Sequence, residues 1–361
     1  MSIKCIKVNE MDERIYTKFL TQRKEATVFH TLEWCRVIED CLSFTTYFIV
    51  AIDRTNRIHA VLPLSHVNNR LNRKLYSLPL SPYCGYVGDK KYFKKVFERA
   101  IELKDETNCD YITIVQPPLT SVNNKMFSYM EERRWITQYI PIDDPRVLWS
   151  KFNVHTRRII KKAIKSGIHV RRVDENDEKS IKKIYFMQVE FGKKKGFLNL
   201  SYRDYLKMWK RLHSAKLLET YVAEIHDEII GFISFLKFGD KILCKSGVST
   251  KKGRKLGAHR IIIWKMLKQS YYQGYKIFDF GPSSPLDRNG EIDKRFKGLI
   301  NFKSSFGSNL AYFSYYYFPK APTVDHMNCS TFSREVGKFV IKHIPNFVLS
   351  RISTFLIRSY V

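Results

Sequence analysis

The chain has 361 residues, 63 of them Lys or Arg and 35 Asp or Glu, a formal net charge of +28. Hydrophobic residues make up 44% and aromatics 14%, enough apolar surface to offset ordering entropy, which excludes a disordered chain. The 16 Gly and 12 Pro follow no collagen-like period, and the seven Cys (5, 35, 41, 84, 109, 244 and 329) form no C-x-x-C pair and read as reduced thiols.

At ~150 residues per domain the length suggests two domains. The first sixteen residues hold no apolar core of secretory-signal length. The longest clean apolar run, Ile229 to Leu236, is far below the ~20 residues that span a bilayer. The expectation is a cytoplasmic protein, with contact at the inner face of the membrane left open.

Tyr47–Leu64 predicts a strand, a polar turn and a second strand. A helix over 91–106 and a strand over Tyr111–Pro118 follow. Asp143-Asp144-Pro145 predicts a helix start, with an acidic N-cap ahead of Pro in the first turn. Leu148, Trp149, Phe152, Ile159, Ile160, Ala163 and Ile164 continue at helical spacing, and Gly167 supplies the stop. Further helices are predicted over about 181–192 and 202–213. Tyr221–Leu236 then repeats the hairpin plan, followed by a helix over 258–273 and a strand over Tyr275–Pro282. This repeated order argues for two similar α/β units. An aromatic strand, Ala311–Phe318, precedes an amphipathic tail over 332–361. There Ile344, Phe347, Val348, Ile352, Phe355 and Leu356 lie on one side, opposite Ser350, Arg351, Ser353, Thr354 and Arg358. Such a helix either lies in a membrane surface or packs back on the first unit.

The positive charge is clustered. Residues 151–172 hold eight Lys or Arg and no acid, and residues 237–268 hold ten against Asp240. Clustering of this kind fits an anionic partner or a solvated basic face. No G-x-S-x-G elbow, Walker phosphate loop or H-E-x-x-H pattern is present. The nearest phosphate-cradling turn is Lys251–His259, ahead of the helix at 258–273. Against the coenzyme A pattern Q/R-x-x-G-x-G/A, it matches at Arg254 and Gly257 and fails at His259.

Several short patterns, in a shared order, resemble the Fem family of tandem-GNAT aminoacyltransferases, and most closely its exopolysaccharide-associated members. They are Phe29–Trp34 (FHTLEW), Leu78–Gly85 (LPLSPYCG), Leu148-Trp149 followed by His155–Ala163 (HTRRIIKKA), Phe278–Gly281 (FDFG) and Phe302–Gly307 (FKSSFG). The tail from Lys338 to Tyr360, with Ile344-Pro345 inside, completes the resemblance.

The resemblance implies an α/β (α+β) fold of two tandem GNAT-like acyltransferase units, each a mixed, mostly antiparallel sheet flanked by helices. The expected organisation is a first unit at 1–144, a catalytic second unit at 145–320 entered by the basic linker helix, and a tail helix at 321–361. It implies transfer of an acyl or aminoacyl group from an activated donor, aminoacyl-tRNA or acyl-CoA, to an amine of a peptidoglycan or other cell-envelope precursor or of a polysaccharide. No tightly bound cofactor and no metal are expected. Lys303 is implicated as the stabiliser of the developing oxyanion, and Asp279 either holds the amine, orients Lys303 or caps the next turn. Lys161, Lys162, Arg254 and Tyr275 are candidates for binding substrate or phosphate. A CoA-dependent acetyltransferase of a sugar amine, and a non-catalytic binder of RNA or an anionic membrane surface, remain as alternatives.

Overall fold

Runs rich in Val, Ile, Tyr, Phe and Thr pack well on a pleated surface, and they supply the strands of this protein. The computed structural model describes residues 1–69, 73–119, 124–287, 289–320, 341 and 343–360. The strands are β1 Ser2–Lys7, β2 Thr45–Ile52, β3 Ile58–Asn68, β4 Arg73–Tyr76, β5 Val87–Gly88, β6 Tyr111–Gln116, β7 Glu131–Pro141, β8 His169–Arg172, β9 Leu218–Ile225, β10 Glu228–Phe238, β11 Lys241–Ser249, β12 Ile277–Pro285 and β13 Asn309–Phe318. The helices are α1 Glu13–Thr21, α2 Leu32–Leu42, α3 Phe93–Glu106, α4 Pro145–Lys151, α5 Val154–Lys165, α6 Glu178–Lys195, α7 Tyr202–Ser214, α8 Lys251–Leu256, α9 Ala258–Tyr272, α10 Lys297–Ser304 and α11 Asn346–Tyr360.

Two compact units result. One comprises 1–135, 312–343 and 351–361, the other 136–311 and 344–350. The chain passes from one to the other inside β7, ahead of the Asp144-Pro145 helix start, because β7 contributes residues to both.

In the first unit the strand order is β1-β2-β3-β4-β6-β13, with β5 on β3. The pairs β1/β2, β2/β3, β3/β4 and β6/β13 are antiparallel and β4/β6 is parallel. In the second the order is β7-β12-β11-β10-β9-β8, where β8/β9, β9/β10 and β10/β11 are antiparallel and β11/β12 is parallel. The plan is the same twice: an antiparallel meander, a crossover helix (α3 or α9), then a parallel strand beside the last meander strand. A parallel neighbour requires such a crossover, so the helix belongs to the topology.

Each unit has its own core. In the first, Phe93, Val96, Phe97, Ala100 and Leu103 of α3 bury against Ile49, Leu62, Leu75 and Ile112. In the second, Ile261, Ile262, Met266 and Leu267 of α9 bury against Ile230, Ile233, Phe235, Ile242 and Phe278. The FHTLEW and LPLSPYCG segments meet in the first unit. Trp34 Nε1 donates to Ser81 Oγ (2.7 Å), the Cys84 thiol contacts Phe29 O (3.3 Å), and His30 Nε2 lies 3.1 Å from Gly85 O.

Two local expectations are corrected. The helix predicted from 145 to 166 is two helices, α4 and α5, because Asn153 N-caps the second by accepting from Thr156 N–H at 2.7 Å. The turn predicted at Lys251–His259 is the short helix α8, capped by Thr250 and closed by left-handed Gly257 (φ 82°). Tail residues 332–340 and 342 lie outside the described residues, and α11 begins just after Pro345.

Replacing Ile262, fully buried on α9, with Ala should lower stability by about 2–5 kcal/mol in urea unfolding, the cost of a core cavity. A loss of less than about 0.5 kcal/mol would place α9 outside the core.

Candidate active site

The FDFG segment in the first half of β12 separates two jobs by strand alternation. Phe278 and Phe280 point into the core, with ring centroids 5.9 Å from Phe235 and 5.6 Å from Phe306. Asp279 points the other way and is 9% exposed. Gly281 then turns the chain with φ +74°, where a side chain would meet Cys244 O at 3.1 Å. The turn is fixed by Asp279, whose Oδ1 accepts from Gly281 N–H and from Thr137 Oγ1, both at 2.7 Å. Asp279 therefore caps its own turn, one of the roles open to it from sequence.

This turn presents acceptors to Lys303. On α10, Lys303 is only 4% exposed. Its Nζ donates to Gly281 O (2.6 Å), Pro282 O (2.9 Å) and Ser283 Oγ (2.9 Å), which uses all three ammonium hydrogens. Burial lowers its pKa to about 8, against the opposing pull of Asp279 and Cys244. The same burial pushes the Cys244 thiol up. Lys303 and Asp279 are thus brought into one constellation.

Gln138 of β7 completes it. Its Oε1 accepts from Ser283 Oγ (3.0 Å), while its Nε2 donates to Ser304 Oγ (2.9 Å), Ser308 Oγ (3.1 Å) and Ile300 O (3.3 Å). Thr137, Gln138 and Ser283 were invisible in the sequence reading. They are common polar residues on a strand with no motif, and only the pairing of β7 beside β12 gives them meaning.

The other candidates lie elsewhere. Tyr275 precedes β12, with Lys237 Nζ 5.4 Å from its ring centroid. At about 3.3 Å per strand residue it lies roughly 20 Å of chain before Gly281, the middle residue of β12. Lys161 and Lys162 are exposed on α5. Arg254 on α8 donates to Ser249 O (2.8 Å). The α5 helix packs against α8 and α9, and Ile159 Cγ2 would lie 2.3 Å from a β-carbon at Gly257. His259 stands in the first turn of α9, with Nε2 buried and given no hydrogen-bond partner among the described residues. Burial outweighs the backbone groups of Val248 and Phe232 and lowers its pKa to about 4, so the imidazole is neutral. Arg260, half-buried, lies 5.0 Å from the Phe302 ring centroid, and its Nε is 3.4 Å from Thr156 Oγ1. Among the described residues, no group of three His, Cys, Asp or Glu is placed to hold a metal ion.

Residues 150–297 match the family described as "Acetyltransferase (GNAT) domain", and the chain is an acyltransferase. No curated protein matches it in sequence. Among solved structures it is similar to FemX, with 14% identity, a TM-score of 0.67, and coverage of 87% of this chain and 97% of that one. It is also similar to L-PGS from Bacillus licheniformis (12% identity, TM-score 0.57, 92% and 98% covered). A third match is a tandem GNAT protein from the clavulanic acid biosynthesis pathway (9% identity, TM-score 0.50, 88% and 98% covered). The fold is accordingly that of two tandem GNAT-like units.

The buried His259 sets a pH dependence. Its folded pKa lies below the ordinary value, so between about 6.5 and about 4 the unfolded chain binds a proton that the folded chain refuses. Stability should fall as pH drops through that window. His259→Gln should flatten the slope there, as read by thermal melts at stepped pH; an unchanged slope would show that His259 is protonated in the fold.

Proposed function

We propose that the protein transfers an acyl or aminoacyl group from an activated donor to an amine of an anionic cell-envelope precursor or polysaccharide, using the Lys303 constellation. The observation that carries this is a buried ammonium whose every partner is neutral: two backbone carbonyls and one hydroxyl. The amine nitrogen attacks the donor carbonyl carbon, and the carbon–oxygen π bond opens to an oxyanion. Collapse expels the donor's leaving group, and the amine proton passes to that group or to solvent. Ser283 is the exchangeable partner of Lys303, since its hydroxyl is a weaker acceptor than a developing oxyanion. When Lys303 turns to the oxyanion, Ser283 keeps its hydrogen bond to Gln138. Asp279 and Gly281 act by positioning, holding the turn that aims the ammonium.

For the donor, aminoacyl-tRNA is favoured over acyl-CoA. The net charge of +28, with exposed Lys161 and Lys162 on α5, suits a polyanion. The turn expected to cradle a coenzyme A pyrophosphate is replaced by α8, with Ile159 packed on Gly257. The match to an acetyltransferase family keeps acyl-CoA, and with it a sugar-amine acceptor, as the second reading. The likeness to FemX and L-PGS supports the envelope assignment only through the names of those proteins. The exopolysaccharide association rests on sequence resemblance alone.

Incubation with charged tRNA and, separately, with labelled acetyl-CoA tests the donor; transfer from neither would overturn the reading. Lys303→Met should cut kcat by about 10²–10³, the scale of losing one oxyanion donor, with the melting temperature measured alongside. Because the ammonium form acts, kcat should decline as pH rises through about 8. Lys303→Arg, charged at all these pH values, should move that decline upward. An unaltered kcat in Lys303→Met would remove the lysine from the chemistry.

A further inference from the structure

The helix α11 is turned the opposite way from an ordinary surface helix. Leu349, Ser353, Thr354 and Ile357 are its buried side. Phe347 is 65% exposed, Ile352 39% and Phe355 69%. At 3.6 residues per turn, these three, with Val348 and Arg351, fall within one arc of about 140° on the outward face. The tail helix was expected to bury its apolar side if it packed back; here two hydroxyl residues face inward and two phenylalanines outward. The helix is nevertheless anchored: Arg358 Nη2 donates to Cys41 O (2.7 Å), and Asn69 Nδ2 donates to Arg358 O (2.9 Å).

The charged residues of this stretch of sequence have one sign. From residue 336 to 361 the sequence holds Lys338, Lys342, Arg351 and Arg358 and no Asp or Glu. Arg351 is exposed among the outward apolar residues. Lys193, in the run Lys193–Lys195 at the end of α6, donates from Nζ to Ile344 O (2.7 Å), just ahead of α11. An exposed aromatic stripe with an arginine among its residues, in a stretch of sequence without acids, matches the apolar-plus-anionic character of a phospholipid surface. No described helix is long and apolar enough to cross a membrane, so the contact is in the plane of the surface.

We infer that α11 docks the protein on an anionic phospholipid bilayer, with Phe347, Ile352 and Phe355 entering the headgroup–acyl boundary and Arg351 meeting lipid phosphates. This surface is separate from the Lys303 constellation, and vesicle binding is read without donor or acceptor. Its outcome is therefore distinct from that of the transfer assays.

The test is co-sedimentation of the full chain with vesicles of phosphatidylglycerol and phosphatidylcholine in equal parts, against phosphatidylcholine alone. The wild type should sediment with the anionic vesicles and much less with the neutral ones. Phe347→Ser/Phe355→Ser should weaken that partition at least tenfold, since each loses a buried aromatic on the membrane side. Both positions are exposed, so the melting temperature should stay unchanged. A single Phe355→Trp variant should show a blue-shifted emission on adding anionic vesicles. Equal sedimentation of wild type and double variant would overturn the inference. So would a wild-type dimer that the double variant dissociates while no vesicle binding is seen, which would assign the face to a second copy of the chain.

Discussion

A positive charge that the fold hides from water is the constraint around which the second unit is arranged. Taking an ammonium out of solvent costs several kcal/mol unless its hydrogens are met. Lys303 meets that requirement without a carboxylate in its hydrogen-bonding shell. Two acceptors are consecutive backbone carbonyls, which point the right way because Gly281 is left-handed and Asp279 ties down its N–H. The third, Ser283, is itself held by Gln138, which also ties down α10. A direct ion pair would have neutralised the lysine. Dipoles leave its charge largely unspent, as a stabiliser of transient negative charge requires.

The duplicated architecture is not duplicated in its buried polar groups. Both units use the meander, crossover helix and parallel strand, yet the buried ammonium is held by carbonyls in the middle of β12, the parallel strand of the second unit. In the first unit the matching strand is β6, whose Gln116 side chain bonds Tyr86 N–H and O, and the loop that follows β4 carries Leu78 and Leu80 at positive φ with Trp34 holding Ser81. Positive φ at leucine is strained, so that loop is held by its surroundings.

Much of this is legible in the amino-acid sequence. The two hairpins, the crossover helices and the parallel strands follow from apolar period and from proline or glycine stops, and their repetition gave the duplicated plan. Lys303 and Asp279 were found through motif resemblance; by period alone, a lysine between two phenylalanines reads as surface. What stayed hidden has physical causes. β7 carries a mixed polar pattern, EERRWITQYIP, so the roles of Thr137 and Gln138 depend on a partner strand distant in sequence. Asn153 is one polar residue between apolar-periodic stretches, and only its bond from Thr156 N–H marks the break between α4 and α5. The turn at 251–259 was read from glycines, but Thr250 caps a helix there. The orientation of α11 could not be read at all, because an amphipathic pattern fixes two faces and leaves open which one looks outward.

The path of the chain has a consequence for biosynthesis. The sheet of the first unit ends in β13, whose residues 314–318 pair with β6 at 112–116. Between them in sequence runs the whole continuous stretch 136–311 of the other unit. As the polypeptide leaves the ribosome, β6 must wait, with one edge unpaired, until nearly all the remaining translation is done. The later-made body can close first, while the earlier-made one stays an open edge that a chaperone or a neighbouring nascent chain can reach.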